Sequence, residues 1–269
     1  MNTRMDTMKH VFMPEGALAS YLAPAGLALA VLAGIVEAFA GFGSRWGWWH
    51  FTTGFAILRW TVVGGLAAAL ISLAGGIALR HAAQRAALLM SAAGILIGLV
   101  VAGIPWSWMR TAQEVPRIHD ITTDTVNPPR FDAILALRKE AANPAEYGGP
   151  VVAAQQREAY PDIAPVLLPV AQSTAFETAL RAAKDMGWQI VSADEREGRI
   201  EATATTFWFG FKDDVVVRVV PMPGGSRVDV RSVSRAGVSD VGTNAQRIHA
   251  FLHKVARMTS VDSTYVIPF

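Results

Sequence analysis

The 269-residue chain carries 24 Lys and Arg against 22 Asp and Glu, a formal net charge of +2, so it lacks the basic footprint of a nucleic-acid-binding protein. Cysteine is absent, which excludes disulfides, a thiol nucleophile and thiolate metal sites. Charge is also unevenly spread: residues 16–109 hold almost none of it, and residues 110–269 hold most.

Residues 1–15 are mixed and polar with no clear cleavage site, so the first apolar run reads as a retained span and not a removable signal. Three apolar runs, over about 17–40, 60–79 and 86–109, each reach the roughly 20 residues a bilayer crossing needs. They show little of the polar stripe of a soluble core helix, and they predict a three-span membrane domain over 16–110. Pro24 is expected to kink the first span. The loop 80–85 carries two arginines and His81, which by the positive-inside rule faces the cytoplasm with Arg4 and Lys9. The chain after residue 110 then lies on the periplasmic side of the inner membrane, although Arg45, Arg59, Arg110 and Arg117 weigh against that orientation. Trp46, Trp48, Trp49, Trp60, Trp106 and Trp108 fall at the span ends expected to face outward, as in an interfacial aromatic belt. Glu37 and Arg59 sit near the same ends and are expected to pair. Small residues at Gly26, Ala30 and Gly34, and at Gly94 and Gly98, permit close helix packing within the bundle or between copies in a homo-oligomer. Too few spans and no internal repeat argue for an anchor over a transporter.

Beyond the spans, residues 111–131 read as extended, since Pro116, Pro128 and Pro129 exclude a long helix. A short helix is predicted over 132–142 and a surface loop over 146–165. A strand follows over 166–170. Thr174 with Glu177 makes a capping box for a helix whose stripe is Phe176, Ala179, Leu180, Ala183 and Met186, and Gly187 ends it. A strand over 188–192 and a turn over 194–198 lead into three antiparallel strands within 199–235. Alternation there sets Ile200, Ala202, Ala204, Val215, Val217, Val219, Val228 and Val230 on one face and Glu201, Thr203, Thr205 and a ladder of charges on the other. A hairpin symmetric about the Pro-Gly-rich turn pairs Val217 with Val230, Arg218 with Asp229, and Val216 with Arg231. Thr243 or Asn244 is expected to cap a last helix built on Ala245, Ile248, Leu252 and Val255. The order predicts an α+β domain over 111–269, an antiparallel sheet with helices on one face. By analogy of fold it is a helix-grip or TATA-binding-protein-like (TBP-like) arrangement.

Two stretches, IHDITTDT from Ile118 with PPRF ending at Phe131, and DVRSVSR from Asp229 running on through Gly237, Ser239, Asp240, Gly242, Asn244 and Arg247, carry a resemblance. They are similar to the hallmarks of a bacterial and plastid family of domains without an established function. The resemblance covers most of 115–258, leaves the membrane part outside, and implies no mechanism.

Chemistry has two candidate centres. His119, Asp120 and Asp124, joined by Asp213 and Asp214 if the fold brings them together, would suit a general base or a metal-assisted hydrolase. The competing reading makes these residues turn formers and hairpin caps. Arg218, Arg231, Arg235 and Arg247, with Asn244 near a helix start, would suit capture of a phosphate or carboxylate. There the competing reading is an internal salt-bridge network. No G-x-S-x-G, P-loop, HExxH or dinucleotide pattern occurs, and no cofactor or metal site is expected. The sequence therefore favours a membrane-anchored envelope protein whose outer domain binds a partner protein, lipid or anionic group, with a hydrolase using His119, Asp120 and Asp124 as the alternative.

Overall fold

A computed structural model describes residues 15–79 and 85–259. The chain divides into two compact units, Met1–Trp108 and Met109–Phe269. Arg4, Lys9, Arg80 and His81, on which the predicted sidedness rests, lie outside the described residues.

The first unit contains α1 (Glu15–Arg45) and α2 (Phe51–Leu79), and most of α3 (Arg85–Glu114). All three are long and apolar enough to cross a membrane. α2 starts at Phe51, earlier than the apolar run at 60, because Thr52, Thr53 and Arg59 interrupt hydrophobicity without interrupting backbone hydrogen bonding. Large side chains such as Leu32, Leu70, Leu89 and Leu96 are exposed, while Ala23, Ala30, Ala33, Ala68 and Ala69 are buried. Leucine outside and alanine inside suits a lipid solvent, in which close backbone approach replaces hydrophobic collapse. Gly65 and Gly98 show that approach: a Cβ on Gly98 would stand 2.5 Å from the Gly65 carbonyl oxygen. Gly26 and Gly94 both lie against Ser72, so these small residues are used between helices of one chain. The expected Glu37–Arg59 pair does not form. Ala33 lies against Gly64, which brings Glu37 about level with the buried Thr61, whereas Arg59 faces outward. Glu37 itself is 5% exposed and its Oε2 has no hydrogen-bond partner.

Among the described residues the second unit holds six antiparallel strands: β1 (Asp120–Thr122), β2 (Val166–Leu168), β3 (Gln189–Asp194), β4 (Arg199–Thr205), β5 (Lys212–Met222) and β6 (Gly225–Ser234). They run in the order β1-β6-β5-β4-β3, with β2 pairing farther along β6. The β5–β6 register is the one alternation predicts: Val217 opposes Val230, Arg218 opposes Asp229, and Val216 opposes Arg231. Gly224 turns the hairpin at φ +82°. Helices α5 (Gln172–Asp185) and α6 (Thr243–Met258) cover the apolar face, and Trp188 stacks on Phe251 at 5.0 Å in the core.

Three local expectations need correction. The predicted loop 146–165 contains helix α4 (Gly149–Ala159). Its Gly-Pro start resembles a loop, yet proline at a first helical turn loses no hydrogen bond. α5 begins at Gln172, so Thr174 lies inside it, and its carbonyl accepts from the Thr178 hydroxyl. α6 is capped from outside by Asp240, whose carboxylate accepts from Gly242 N at 2.9 Å and Asn244 N at 2.8 Å, and neither Thr243 nor Asn244 serves as its cap. Gly242 takes φ +79° to allow this.

Candidate functional site

The strand period of two fixes which side chains leave the apolar core. Glu201, Thr203, Asp214, Val216, Arg218, Asp229 and Arg231 point away from α5 and α6. That face is neither an ordinary solvated face nor an open binding surface. Residues 123–147, including a 3-10 turn over Ala133–Arg138, lie across it, and Phe131 and Ile134 pack with Val216 and Val233 into a second small core. Glu201, Asp214 and Asp229 are fully buried and Arg231 nearly so. Charges out of water are tolerable only when paired and hydrogen-bonded.

Each buried carboxylate is satisfied in a separate knot. Asp120, on β1, takes a two-pronged grip from Arg231 at 2.9 and 2.7 Å. Arg231 also donates to the carbonyls of Pro129 and Ala145, and its guanidinium lies between the rings of Phe131 at 5.2 Å and Tyr147 at 5.5 Å. Burial, with the Asp120 charge second, pushes the Tyr147 hydroxyl up to about 12. Asp214 accepts from Arg138 at 2.6 Å, from Arg235 at 2.9 and 2.8 Å, and from Thr203 at 2.8 Å. Asp229 binds Arg218, Arg227 and the Thr123 hydroxyl, and both arginines also reach Asp124. Burial alone would raise the Asp124 carboxyl, but the amides of Asn127 and Val126 and the two arginines hold it below the ordinary range. Glu201 accepts from the amides of Asp132, Ala133 and Ile134 at the start of the 3-10 turn and pairs with Arg199.

The sequence candidates are thus distributed, not gathered. The adjacent Asp213 and Asp214 serve opposite faces of β5: Asp213 pairs with Arg247 of α6 at 2.6 Å, on the helix side. Asn244 accepts from Ser232 at 2.7 Å and donates to Ser234 and to the His119 carbonyl, which ties the start of α6 to β6 and β1. Arg247 also bonds to Asn244 and donates to Ser232 at 3.0 Å. The half-buried His119 ring is bonded to none of Asp120, Asp124, Asp213 or Asp214. Among the described residues no three His, Asp or Glu side chains are grouped to hold a metal ion.

A recess opens on the polar face, a cleft of about 220 Å³ lined by Asn127, Pro128, Pro129, Arg130, Glu197, Arg199 and Arg218, with Val216 behind. Arg199 and Arg218 keep 28% and 23% of their side chains exposed while paired, Arg199 to Asp132, Glu197 and Glu201 and Arg218 to Asp229 and Asp124. Arg130 is exposed and has no ion pair among the described residues. Of the arginines singled out from sequence, Arg218 is the one that reaches the cleft, whereas Arg231, Arg235 and Arg247 serve the knots. Arg130 and Arg199 were missed. The double proline before Arg130 was their one local signal, because it stiffens the backbone that presents that side chain.

A family model described as "Protein of unknown function (DUF1499)" matches residues 120–255, just over half of the chain and nearly all of the sheet domain. No curated protein matches.

Proposed function

Because the chain belongs to the family of proteins of unknown function DUF1499, whose match spans β1 to α6, we propose its role from the geometry alone: a membrane-anchored envelope protein whose outer domain binds an anionic group. Helices α1–α3 are the anchor in the inner membrane, and the sheet domain lies on the periplasmic side. The observation that carries the reading is Arg130, exposed and without an ion pair among the described residues, beside the partly exposed Arg199 and Arg218 in one cleft. Arg199 is already paired with Asp132, Glu197 and Glu201, and Arg218 with Asp124 and Asp229, so the charge the cleft offers to a ligand is chiefly that of Arg130. Guanidinium forks favour phosphate or carboxylate oxygens, and the stiff Pro128–Pro129 rim lowers the ordering cost of gripping them. Arg231, Arg235, Asn244 and Arg247 take part from behind, by holding β6, the covering segment and α6 in place.

The test uses the full chain in nanodiscs with inorganic phosphate as probe, read by hydrogen exchange of the amides of Val126, Asn127, Arg130 and Phe131 and of residues 195–199. Millimolar phosphate should slow exchange there several-fold, and Arg130→Ala combined with Arg199→Ala should remove the effect. Exchange indifferent to phosphate at neutral pH would refute the anion site. A reporter fused at Phe269 that works only in the cytoplasm would refute the periplasmic placement.

A further inference from the structure

The end of the sheet at which the chain first joins it also carries a prominent apolar surface. β1 begins at Asp120 opposite Val233, β5 begins beside Ser234, and β4 ends with Thr205 opposite Lys212. The β4–β5 connection, residues 206–211 with the sequence TFWFGF, therefore shares one end with the linker 115–119 and the turn 235–242. Backbone hydrogen bonds hold that end together. Asp240 N donates to Ile118 O at 3.2 Å, Ser234 N to His119 O at 3.0 Å, and Arg235 N to Lys212 O at 3.0 Å.

The aromatic loop is braced. Thr206 N donates to Phe211 O at 2.8 Å, and Phe211 N donates to the Thr206 hydroxyl at 2.9 Å. Gly210 takes φ +72° to close the loop, and the buried Phe209 stacks on Phe211 with ring centres 5.6 Å apart. The two inner rings fix the geometry in which Phe207 stands 79% exposed and Trp208 is partly exposed. Val238, in the neighbouring turn, is 72% exposed. Lys212 and Arg117 are exposed at the same end. Covering an exposed phenylalanine removes apolar surface from water, so a rigid loop that displays one is stabilised by an apolar surface laid against it.

Chain connection identifies that surface. α3 passes Trp106 and Trp108, residues suited to a membrane interface, and ends at Glu114. Only residues 115–119 then precede β1, and five residues reach at most about 18 Å. We propose that this end of the domain docks on the bilayer that holds α1–α3: Phe207, Trp208 and Val238 enter the interfacial region, and Lys212 and Arg117 meet lipid phosphates. The inference rests on the anchor reading and is independent of the anion cleft. Arg199, at the cleft, lies six residues along β4 from Thr205, about 20 Å from the docked end, so docking leaves the cleft open to the aqueous side.

The absence of cysteine allows single labels. Phe207→Cys, Val238→Cys and, as control, Val126→Cys in the full chain would each carry an environment-sensitive nitrobenzoxadiazole dye. The proteins would sit in liposomes of phosphatidylcholine and phosphatidylglycerol. Val126 is 91% exposed but belongs to the covering segment, so it tests whether apolar exposure alone suffices. Dyes at 207 and 238 should be quenched by brominated lipid and shielded several-fold from aqueous iodide, and the dye at 126 should behave oppositely. Iodide access at 207 equal to that at 126 overturns the proposal. Shielding at 207 without sensitivity to brominated lipid also overturns it, because protein and not lipid would then be the cover. Liposome flotation separates the two readings: failure to float refutes the anchor and docking together, whereas flotation with an open position 207 refutes docking alone.

Discussion

Arg231→Ala is the perturbation that most directly tests the buried ionic layer. The substitution strands Asp120, which is 4% exposed, with no counter-ion. It also removes the donors to the Pro129 and Ala145 carbonyls and empties the space between Phe131 and Tyr147. Breaking one side of a buried pair costs about 3–5 kcal/mol, a large part of the roughly 5–15 kcal/mol that holds a domain folded. Native-state hydrogen exchange of the β6 amides in the full chain reads this loss without requiring the domain to be cut out. At about 1.4 kcal/mol per decade, protection should fall by roughly two to four orders of magnitude. Asp120→Ala should cost a similar amount, and the double variant little more than either alone, since removing both charges leaves no stranded group. The reasoning fails if Arg231→Ala lowers protection less than tenfold, or if the two single losses simply add.

Other consequences follow from particular contacts. Gly98→Leu should disrupt α2–α3 packing by about 1–3 kcal/mol or more, because its Cβ would stand 2.5 Å from the Gly65 carbonyl. Gly103→Ala, where a Cβ meets nothing within 4 Å, should not; protease resistance of the bundle in detergent compares them, and equal loss in both would refute the close-approach argument. Asp240 has a folded pKa raised above the usual carboxylate value by burial, and next by the Asp213 charge, so its ionisation opposes folding. Its contribution is full below the unfolded value near 3.8 and is lost as pH rises through the raised folded value. Gly242 N and Asn244 N bond to different carboxylate oxygens, so Asp240→Asn keeps one of the two acceptors and should remove that decline at the loss of one hydrogen bond, while Asp240→Ala should cost about 1 kcal/mol of capping. Thermal unfolding across pH 3–7 checks both, and parallel profiles for wild type and Asp240→Asn would contradict the assignment.

What could be read from the sequence was what local pattern encodes. Valine alternation and one Pro-Gly turn determine the β5–β6 register, because a one-residue slip would turn Val217 and Val230 out of the core. Apolar length marks the three long helices, and helical spacing marks Ile248, Leu252 and Val255 as the buried stripe of α6. The same alternation identified a charged face but carried no information about its cover. Whether Arg231 meets water or Asp120 depends on a segment more than a hundred residues earlier, and no local period connects them. Asp240 was passed over as a cap because it sits two residues before Gly242, whose left-handed turn brings it back over the helix start. The cleft was illegible for a related reason: Arg130 and Arg199 come together only once residues 123–147 cross the sheet.

The lid over the charged face has a consequence for how the polypeptide is made. Thr123 and Asp229 are 106 positions apart, and Asp120 and Arg231 are 111 apart. Residues 120–147 therefore emerge from the ribosome long before the strand that will receive them. Bringing such distant partners together costs on the order of 4 kcal/mol in chain entropy before any ion pair forms. Until then the early carboxylates have water as their partner, and Pro116, Pro128 and Pro129 keep the stretch from collapsing into a wrong helix. Maturation is a late event, completed by the last third of the chain acting on a piece made about a hundred residues earlier. A polypeptide cut between residue 147 and Arg231 would possess the whole lid and lack the guanidinium that holds Asp120.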